Sequence, residues 1–310
     1  MTEHTEQTYF AHGKLLLTGE YVVLDGAKAI GLPTKIGQHL KVQTINNAHH
    51  IIKWSAKLQN DSIWFEVIIN LPDFSIQSTT DLDKGQTITE ILKKVQVLNP
   101  QVFSEDFSYH FETKLDFDKE WGLGSSSTLI TLLSKFADIN AFDLAKQTFG
   151  GSGYDISCAM MPKIQFYQLY KNQRKVNFIS IPDFVKDAGY FIYLNQKQNS
   201  REGIQQYQEI PTSKALINSI SEISEELIKA PNLAEFEDLL FVHESLIANH
   251  LEIPTIQEEL FSDYEDGIIK SLGAWGGDFI FVTAENEKSL SYFKKKGFDT
   301  LFPWRDLIVE

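Results

Sequence analysis

The stretch from Asp116 to Leu133 constrains this chain more than any other. Its centre reads Trp121-Gly122-Leu123-Gly124-Ser125-Ser126-Ser127-Thr128. Ahead of it, Phe107 to Glu112 alternates apolar and polar residues, the pattern of a half-buried strand. Behind it, Leu129 to Phe136 is mostly apolar and predicts a buried helix. The join is therefore strand, glycine/serine loop, helix. Glycines let a backbone take positive φ and approach a ligand closely. A helix start adds unbonded N–H groups and about half a unit of positive charge. That combination suits a phosphate, and a hydroxyl there can also ligate Mg²⁺. The same residues serve equally as an ordinary helix N-cap. No Gly-Lys-Ser/Thr follows, so this is not a Walker loop, and the G-x-G-x-x-G spacing of a dinucleotide site is absent.

Two domains fit in 310 residues. With 28 basic and 42 acidic residues the net charge is −14. Such an acidic chain is a poor match for non-specific nucleic-acid or anionic-membrane binding. An anionic ligand would need local cations or helix N-termini. A single cysteine, Cys158, excludes an intrachain disulfide and fits a reducing compartment. Met1 to Thr8 is polar and lacks the apolar core of a signal peptide, and no apolar run approaches the length of a membrane span. The expectation is a cytoplasmic protein, monomer or homodimer, with neither nucleic acid nor membrane as partner.

In chain order, Tyr9 to Gly19 predicts a strand interrupted by Gly13, continuing through Glu20 to Leu24 into a turn at Asp25-Gly26. Gln38 to Ile45, Ile51 to Ser55 and Ile63 to Ile69 predict further strands. Thr87 and Glu90 have capping-box spacing and predict a helix from Ile88 to Leu98. The first third is thus strand-rich, an antiparallel or mixed sheet rather than a βαβ repeat. Phe142 to Thr148 predicts a short helix. The second glycine loop, Gly150-Gly151-Ser152-Gly153, leads to Tyr154-Asp155 and a buried helical start at Ile156 to Met161. Asp155 there reads either as an N-cap or as a base for a substrate hydroxyl. Ile164 to Tyr170 and Val176 to Ile181 are strand-like, and a domain boundary is expected near Pro182 to Asp187, giving domains 1–184 and 185–310. Next come a strand at Tyr190 to Leu194 and a polar loop, Asn195 to Glu202, with Lys197 and Arg201. Helices follow at Glu202 to Glu209, Lys214 to Lys229 and Leu233 to Leu251. His243 and His250, seven apart on the last, read as ordinary surface or face residues. Ile268 to Leu272, a third glycine loop at Gly273 to Asp278, a strand at Phe279 to Thr283, a helix from Glu287 to Lys296 and a strand-like Thr300 to Val309 complete the chain.

Four of these motifs together resemble the GHMP small-molecule kinases. Gly13-Lys14-Leu15-Leu16-Leu17-Thr18-Gly19-Glu20-Tyr21 resembles that superfamily's first motif. Gly122-Leu123-Gly124-Ser125-Ser126-Ser127 resembles its phosphate-binding motif. Gly151-Ser152-Gly153-Tyr154-Asp155 resembles the loop carrying its catalytic aspartate, and Gly273 to Asp278 its last, glycine-rich motif. The resemblance implies an α+β, two-domain fold, with a strand-rich N-terminal domain, a ferredoxin-like C-terminal domain and the ATP site between them. It implies ATP and Mg²⁺ as cofactors. By the same match Gly122, Leu123, Gly124, Ser125, Ser126 and Ser127 wrap the ATP phosphates, and Ser126 ligates Mg²⁺. Asp155 is the implied base and Lys14 the cation at the reacting hydroxyl. Glu20, Ser152, Arg201, Gly276 and Gly277 are the residues expected at the acceptor.

Four departures from the family pattern stand out. His12 replaces a usual proline. Asp118-Lys119-Glu120-Trp121 replaces the usual Pro-x-Gly-x, setting two acids before a triphosphate loop. Trp275 replaces a small residue and is expected to narrow the acceptor cleft. Leu144 stands where mevalonate kinases and several relatives carry a metal-binding glutamate. Within the superfamily the motifs resemble phosphomevalonate kinase, with mevalonate kinase the close alternative. The acceptor expected is a mevalonate-pathway acid. From another class, a catalytically silent relative that binds a metabolite and a partner protein remains the competing reading, motivated by the two acids.

Overall fold

The structure, a computed structural model, describes residues 4–46, 49–104, 106–171, 173–198, 200–275, 277–285 and 287–310, the side chains of His4, Ser200, Arg201 and Glu287 excepted. The chain divides into two compact units, one of Met1–Gly13, Ile36–Lys119 and Leu123–Met160, the other of Lys14–Lys35, Glu120–Gly122 and Met161–Glu310. The protein is α+β.

Two long paired strands, β1 (His4–Thr18) and β2 (Ala29–Asn46), open the chain. The expected break at Gly13 does not occur, because Gly13 stays out of the left-handed region and the ladder runs on. In the first unit β3 (Ile51–Lys57), β4 (Ile63–Asn70), β5 (Ile76–Thr79) and β6 (Phe107–Leu115) join β2 in the order β5-β4-β3-β6-β2. Only β3–β6 is a parallel pair within this order, so the sheet is mixed. Register explains the core. Trp54 lies opposite Val67 on one side and Phe111 on the other, its indole stacked 5.2 Å from the Phe111 ring. Four helices cover this layer: α1 (Leu82–Leu98), α2 (Ser125–Ala137), α3 (Ala141–Thr148) and α4 (Tyr154–Met160). The start of α1 differs from the capping-box expectation. Asp81, not Thr87, caps it, accepting from the Lys84 N–H at 3.1 Å. Thr87 sits inside the helix and donates back to the Asp83 carbonyl. A capping box has no force when an earlier residue can start the same helix.

In the second unit the first residues of β2 pair with β7 (Gln165–Tyr170), which pairs with β8 (Gln173–Phe178), three residues earlier than expected. Then follow α5 (Asp183–Ala188), β9 (Gly189–Tyr193), α6 (Ser200–Gln208), α7 (Lys214–Leu227), α8 (Leu233–Leu251), α9 (Ile256–Leu260), β10 (Ile269–Ser271), β11 (Phe279–Thr283), α10 (Glu287–Lys295), β12 (Leu301–Pro303) and α11 (Trp304–Leu307). The short strands form an antiparallel sheet in the order β10-β11-β9-β12. Phe281, Phe191 and Phe302 lie side by side across it. The expected strand Thr300 to Val309 is cut at Pro303, which lacks an N–H and suits a helix start, so Trp304 turns inward against Phe191 and Phe281.

Candidate active site

The N-terminus of α2 differs from those of α1, α3, α7 and α8. Side-chain oxygens of Asp81, Asn140, Ser213 and Asn232 cap α1, α3, α7 and α8. No side chain caps α2. Its N-cap is Gly124, at φ 88, and the first turn holds no acid. The first bond inside the helix runs from the Thr128 N–H to the Gly124 carbonyl. The N–H groups of Ser125, Ser126 and Ser127 are thus left for an external acceptor. Two nearby hydroxyls are spoken for: Ser127 donates to the Gly124 carbonyl at 2.8 Å, and Thr128 to Gln38 at 2.6 Å. The Ser126 hydroxyl is exposed and carries no hydrogen bond. Leu123 behind the loop, and Ile130, Leu132 and Leu133 along the helix, are fully buried. At about 2 kcal/mol for each buried aliphatic side chain, they fix the helix start in place.

Asp155 is the second residue of α4, not its cap, which removes the N-cap reading. Ser152 is buried and its hydroxyl accepts from the Tyr154 N–H at 3.4 Å. Both α2 and α4 belong to the first unit, where they pack on one another.

The second unit carries Lys14 and the residues around it. Lys14 Nζ donates to the Gly122 carbonyl at 2.9 Å. Gly122 has φ 65, and a Cβ there would meet an Asp278 carboxylate oxygen at 2.2 Å, so only glycine fits. Of the two acids that break the family pattern, Glu120 pairs with Lys197 at 3.2 Å. Gly277 packs against the Gln196–Gln198 backbone, where a Cβ would lie 2.9 Å from the Gln196 carbonyl. Trp275, read as able to narrow the acceptor cleft, is buried in a cluster with Val22, Ala27, Tyr207 and Ile247. Gly276 and the Arg201 side chain, both expected at the acceptor, lie outside the described residues; Arg201 itself falls in the first turn of α6.

Glu20 and His243 lie in the core. Glu20, expected at the acceptor, has no exposed surface; it is ion-paired with Lys270, itself fully buried. Lys270 also donates to Glu244 at 3.3 Å and to the Ser271 carbonyl at 2.8 Å, satisfying all three of its N–H groups. His243, read as an ordinary surface or face residue, is fully buried on α8 and its Nε2 accepts from the Gly19 N–H at 3.0 Å. The second Glu20 oxygen has no hydrogen bond and faces His243 Nε2 at 3.5 Å. Two carboxylates share one ammonium. Burial pushes the Glu20 carboxyl up to about 7, against the pull of Lys270. Glu244 is raised by burial too. Burial and the Lys270 charge hold His243 well below its usual range, so it is neutral. Sequence reading missed Lys270. The available signal was a lysine in the middle of the otherwise apolar run Ile268 to Leu272.

Among the described residues no group of three His, Cys, Asp or Glu is arranged to hold a metal. Leu144, at the position of the family's metal glutamate, is fully buried in the first unit's core. Mg²⁺ needs few protein ligands when phosphates and water supply the rest. The free Ser126 hydroxyl beside the open α2 N–H groups fits that arrangement. No described helix is long and apolar enough to cross a membrane.

No protein-family model and no curated protein matches the chain. Solved structures do. A mevalonate kinase from L. major in complex with R-mevalonate aligns at TM-score 0.70 and 14% identity, over 100% of this chain and 99% of that one. The Streptococcus pneumoniae phosphomevalonate kinase in complex with phosphomevalonate and AMPPNP aligns at TM-score 0.68 and 16% identity, over 98% of each chain. A Lactococcus lactis galactokinase complexed with galactose aligns at TM-score 0.67 and 12% identity, over 96% of this chain and 92% of that one. The chain has the fold these kinases share.

Proposed function

We propose that the chain is an ATP- and Mg²⁺-dependent kinase that transfers the γ-phosphoryl group to the hydroxyl of a small acid. The observation that carries this reading is the uncapped start of α2, with three free N–H groups, no acid in its first turn and an unengaged Ser126 hydroxyl. Phosphoryl transfer depends on positioning and charge neutralisation more than on covalent help. The α2 N–H groups hold phosphate oxygens, and Ser126 would hold Mg²⁺, which neutralises phosphate charge when bound. Lys14 supplies a further cation. Asp155 takes the proton of the acceptor hydroxyl as its oxygen bonds to the γ-phosphorus and the bond to ADP breaks.

Within that class the acceptor is a mevalonate-pathway acid, phosphomevalonate ahead of mevalonate. Gly-Glu-Tyr in the first motif and Gly-Gly-Asp in the last support the ranking, as does the cation-bearing segment Lys197 to Arg201. Pairing of Glu120 with Lys197 supports an active enzyme over a silent relative, since this acid is partly neutralised. The test is ADP release, measured with Mg-ATP across small hydroxy acids and their phosphates. Faster turnover of phosphomevalonate than of mevalonate at equal low concentration is expected. Mevalonate turned over alone would reverse the ranking. Tight Mg-ATP binding without turnover of either would move the acceptor outside this pathway, and no Mg-ATP binding would favour the silent relative.

A further inference from the structure

We propose that Asp278 is a positioning residue that sets the place of Lys14, acting through Gly122; this rests on the kinase reading above. Three separate segments meet at this side chain. One carboxylate oxygen accepts from the Gln198 N–H at 3.1 Å. The other presses on Gly122, at the spot where any Cβ would lie 2.2 Å away. The Asp278 backbone adds two bonds, N–H to the Gln196 carbonyl at 2.6 Å and carbonyl from the Leu194 N–H at 2.8 Å. Asp278 therefore joins the last glycine loop, the polar loop with Lys197 and the first glycine of the phosphate loop.

The residue Asp278 presses on is the one that holds Lys14, whose ammonium bonds the Gly122 carbonyl. Asp278 is 8% exposed and has a left-handed φ of 54, a conformation aspartate tolerates better than most side chains. Burial raises its carboxyl; the Gln198 N–H and the charges of Lys14 and Lys197 pull it back, while Glu120 opposes them. The charged groups facing it are thus two cations and one acid. An anion there orients the Lys14 ammonium when no phosphate is present and keeps the Gly122 carbonyl beneath it. The cost is repulsion toward an incoming triphosphate. Loss of the charge should accordingly weaken catalysis without weakening nucleotide binding, a split that a purely structural residue does not produce.

The experiment compares the full chain with Asp278→Asn, Lys14→Met and the double variant. In Asp278→Asn, kcat is expected to fall ~10-fold or more while KM for ATP stays level or drops. In the Lys14→Met background the same substitution should add less than about twofold, because its partner is gone. Gly122→Ala displaces the carboxylate from the other side and should give the same kcat loss and the same loss of effect without Lys14. Losses that multiply, or a raised KM for ATP at unchanged kcat, would overturn the proposal. Wild-type Mg-ATP binding and ADP release are measured first, so a failure of the kinase reading is seen separately. The pairing is then still read from thermal unfolding of the same four proteins: non-additive shifts support it, and additive ones sink it.

Discussion

Substituting Glu20 by Gln gives a test whose size follows from the buried cluster. Gln keeps an oxygen for Lys270 and puts an uncharged amide where the second carboxylate oxygen lies, 3.5 Å from His243 Nε2. It thus mimics protonated Glu20 and leaves Lys270 and Glu244 as an even pair. In the folded wild type the Glu20 carboxyl sits at about 7, raised from 4.5. The sign follows from linkage. Between those values the folded state binds the proton more tightly than the unfolded state, so this group's contribution is full below 4.5 and is lost as pH rises through 7. Integrating between pH 5 and pH 8 gives a loss of about 2–3 kcal/mol that the Gln variant does not suffer.

His243 works in the opposite direction. Its folded value is depressed, so its contribution is present above the unfolded value and is lost as pH falls. Glu244, raised like Glu20, loses its contribution as pH rises. Both remain in the variant, so the difference between the two proteins reports Glu20 together with its charge coupling to Glu244. The assay is thermal or urea unfolding of both at pH 5, 6, 7 and 8. Glu20→Gln should gain on the wild type steadily across that range, by roughly 5 °C in Tm at the end of it. A constant offset, or a variant that does worse against the wild type at pH 8 than at pH 5, would refute the raised Glu20 carboxyl. Lys270→Met marks the other extreme, since it strands two buried carboxylates and should cost about 3–5 kcal/mol at neutral pH.

Three further outcomes bear on the proposed chemistry. Asp155→Asn should retain the fold and Mg-ATP binding while kcat falls by ~10²-fold or more, and wild-type turnover in that variant would remove the base assignment. Ser126→Ala removes the free hydroxyl but no backbone N–H, so the Mg²⁺ concentration for half-maximal rate should rise, with a smaller change in nucleotide affinity; an unchanged Mg²⁺ titration points to another ligand. Arg201→Ala should raise KM for the acid and leave KM for ATP alone, because a guanidinium fork suits carboxylate and phosphate; equal changes in both would place it away from the acceptor.

What could be read from the sequence was whatever is local. The start of α2 was legible because glycine spacing, serines and the apolar run behind them fall within eighteen residues, and each has its own physical cause. Strands rich in Ile, Val and aromatic residues on either side of a turn at Asn60-Asp61, Ile51–Lys57 and Ile63–Asn70, were legible for the same reason. Helix starts failed where two local signals competed, as Asp81 did with Thr87. The Glu20 cluster was illegible in a different way. Its members are separated by up to 250 positions, and nothing near Glu20 says that a lysine will be buried against it. Each residue alone is ambiguous: Glu20 beside a glycine bend, His243 on a helix, Lys270 in a strand.

The same contrast bears on the first motif. Lys14 and Glu20 are six residues apart, and a motif reading gives both to the reaction. Their surroundings separate them. Lys14 reaches the Gly122 carbonyl from a partly buried position, beside the glycine that begins the phosphate loop. Glu20 lies beyond the Gly19 bend, where the chain turns into the core and its carboxylate meets a buried ammonium. A carboxylate so placed cannot bind an acceptor without first breaking that ion pair, at a cost of several kcal/mol. It can, however, hold the bend. The Gly19 N–H is fixed by His243, and Glu20 is fixed by Lys270, so the turn that ends β1 is tied at two successive residues to α8 and β10. One short motif thus holds an ammonium at the Gly122 carbonyl and, six residues on, a carboxylate that anchors the strand presenting it.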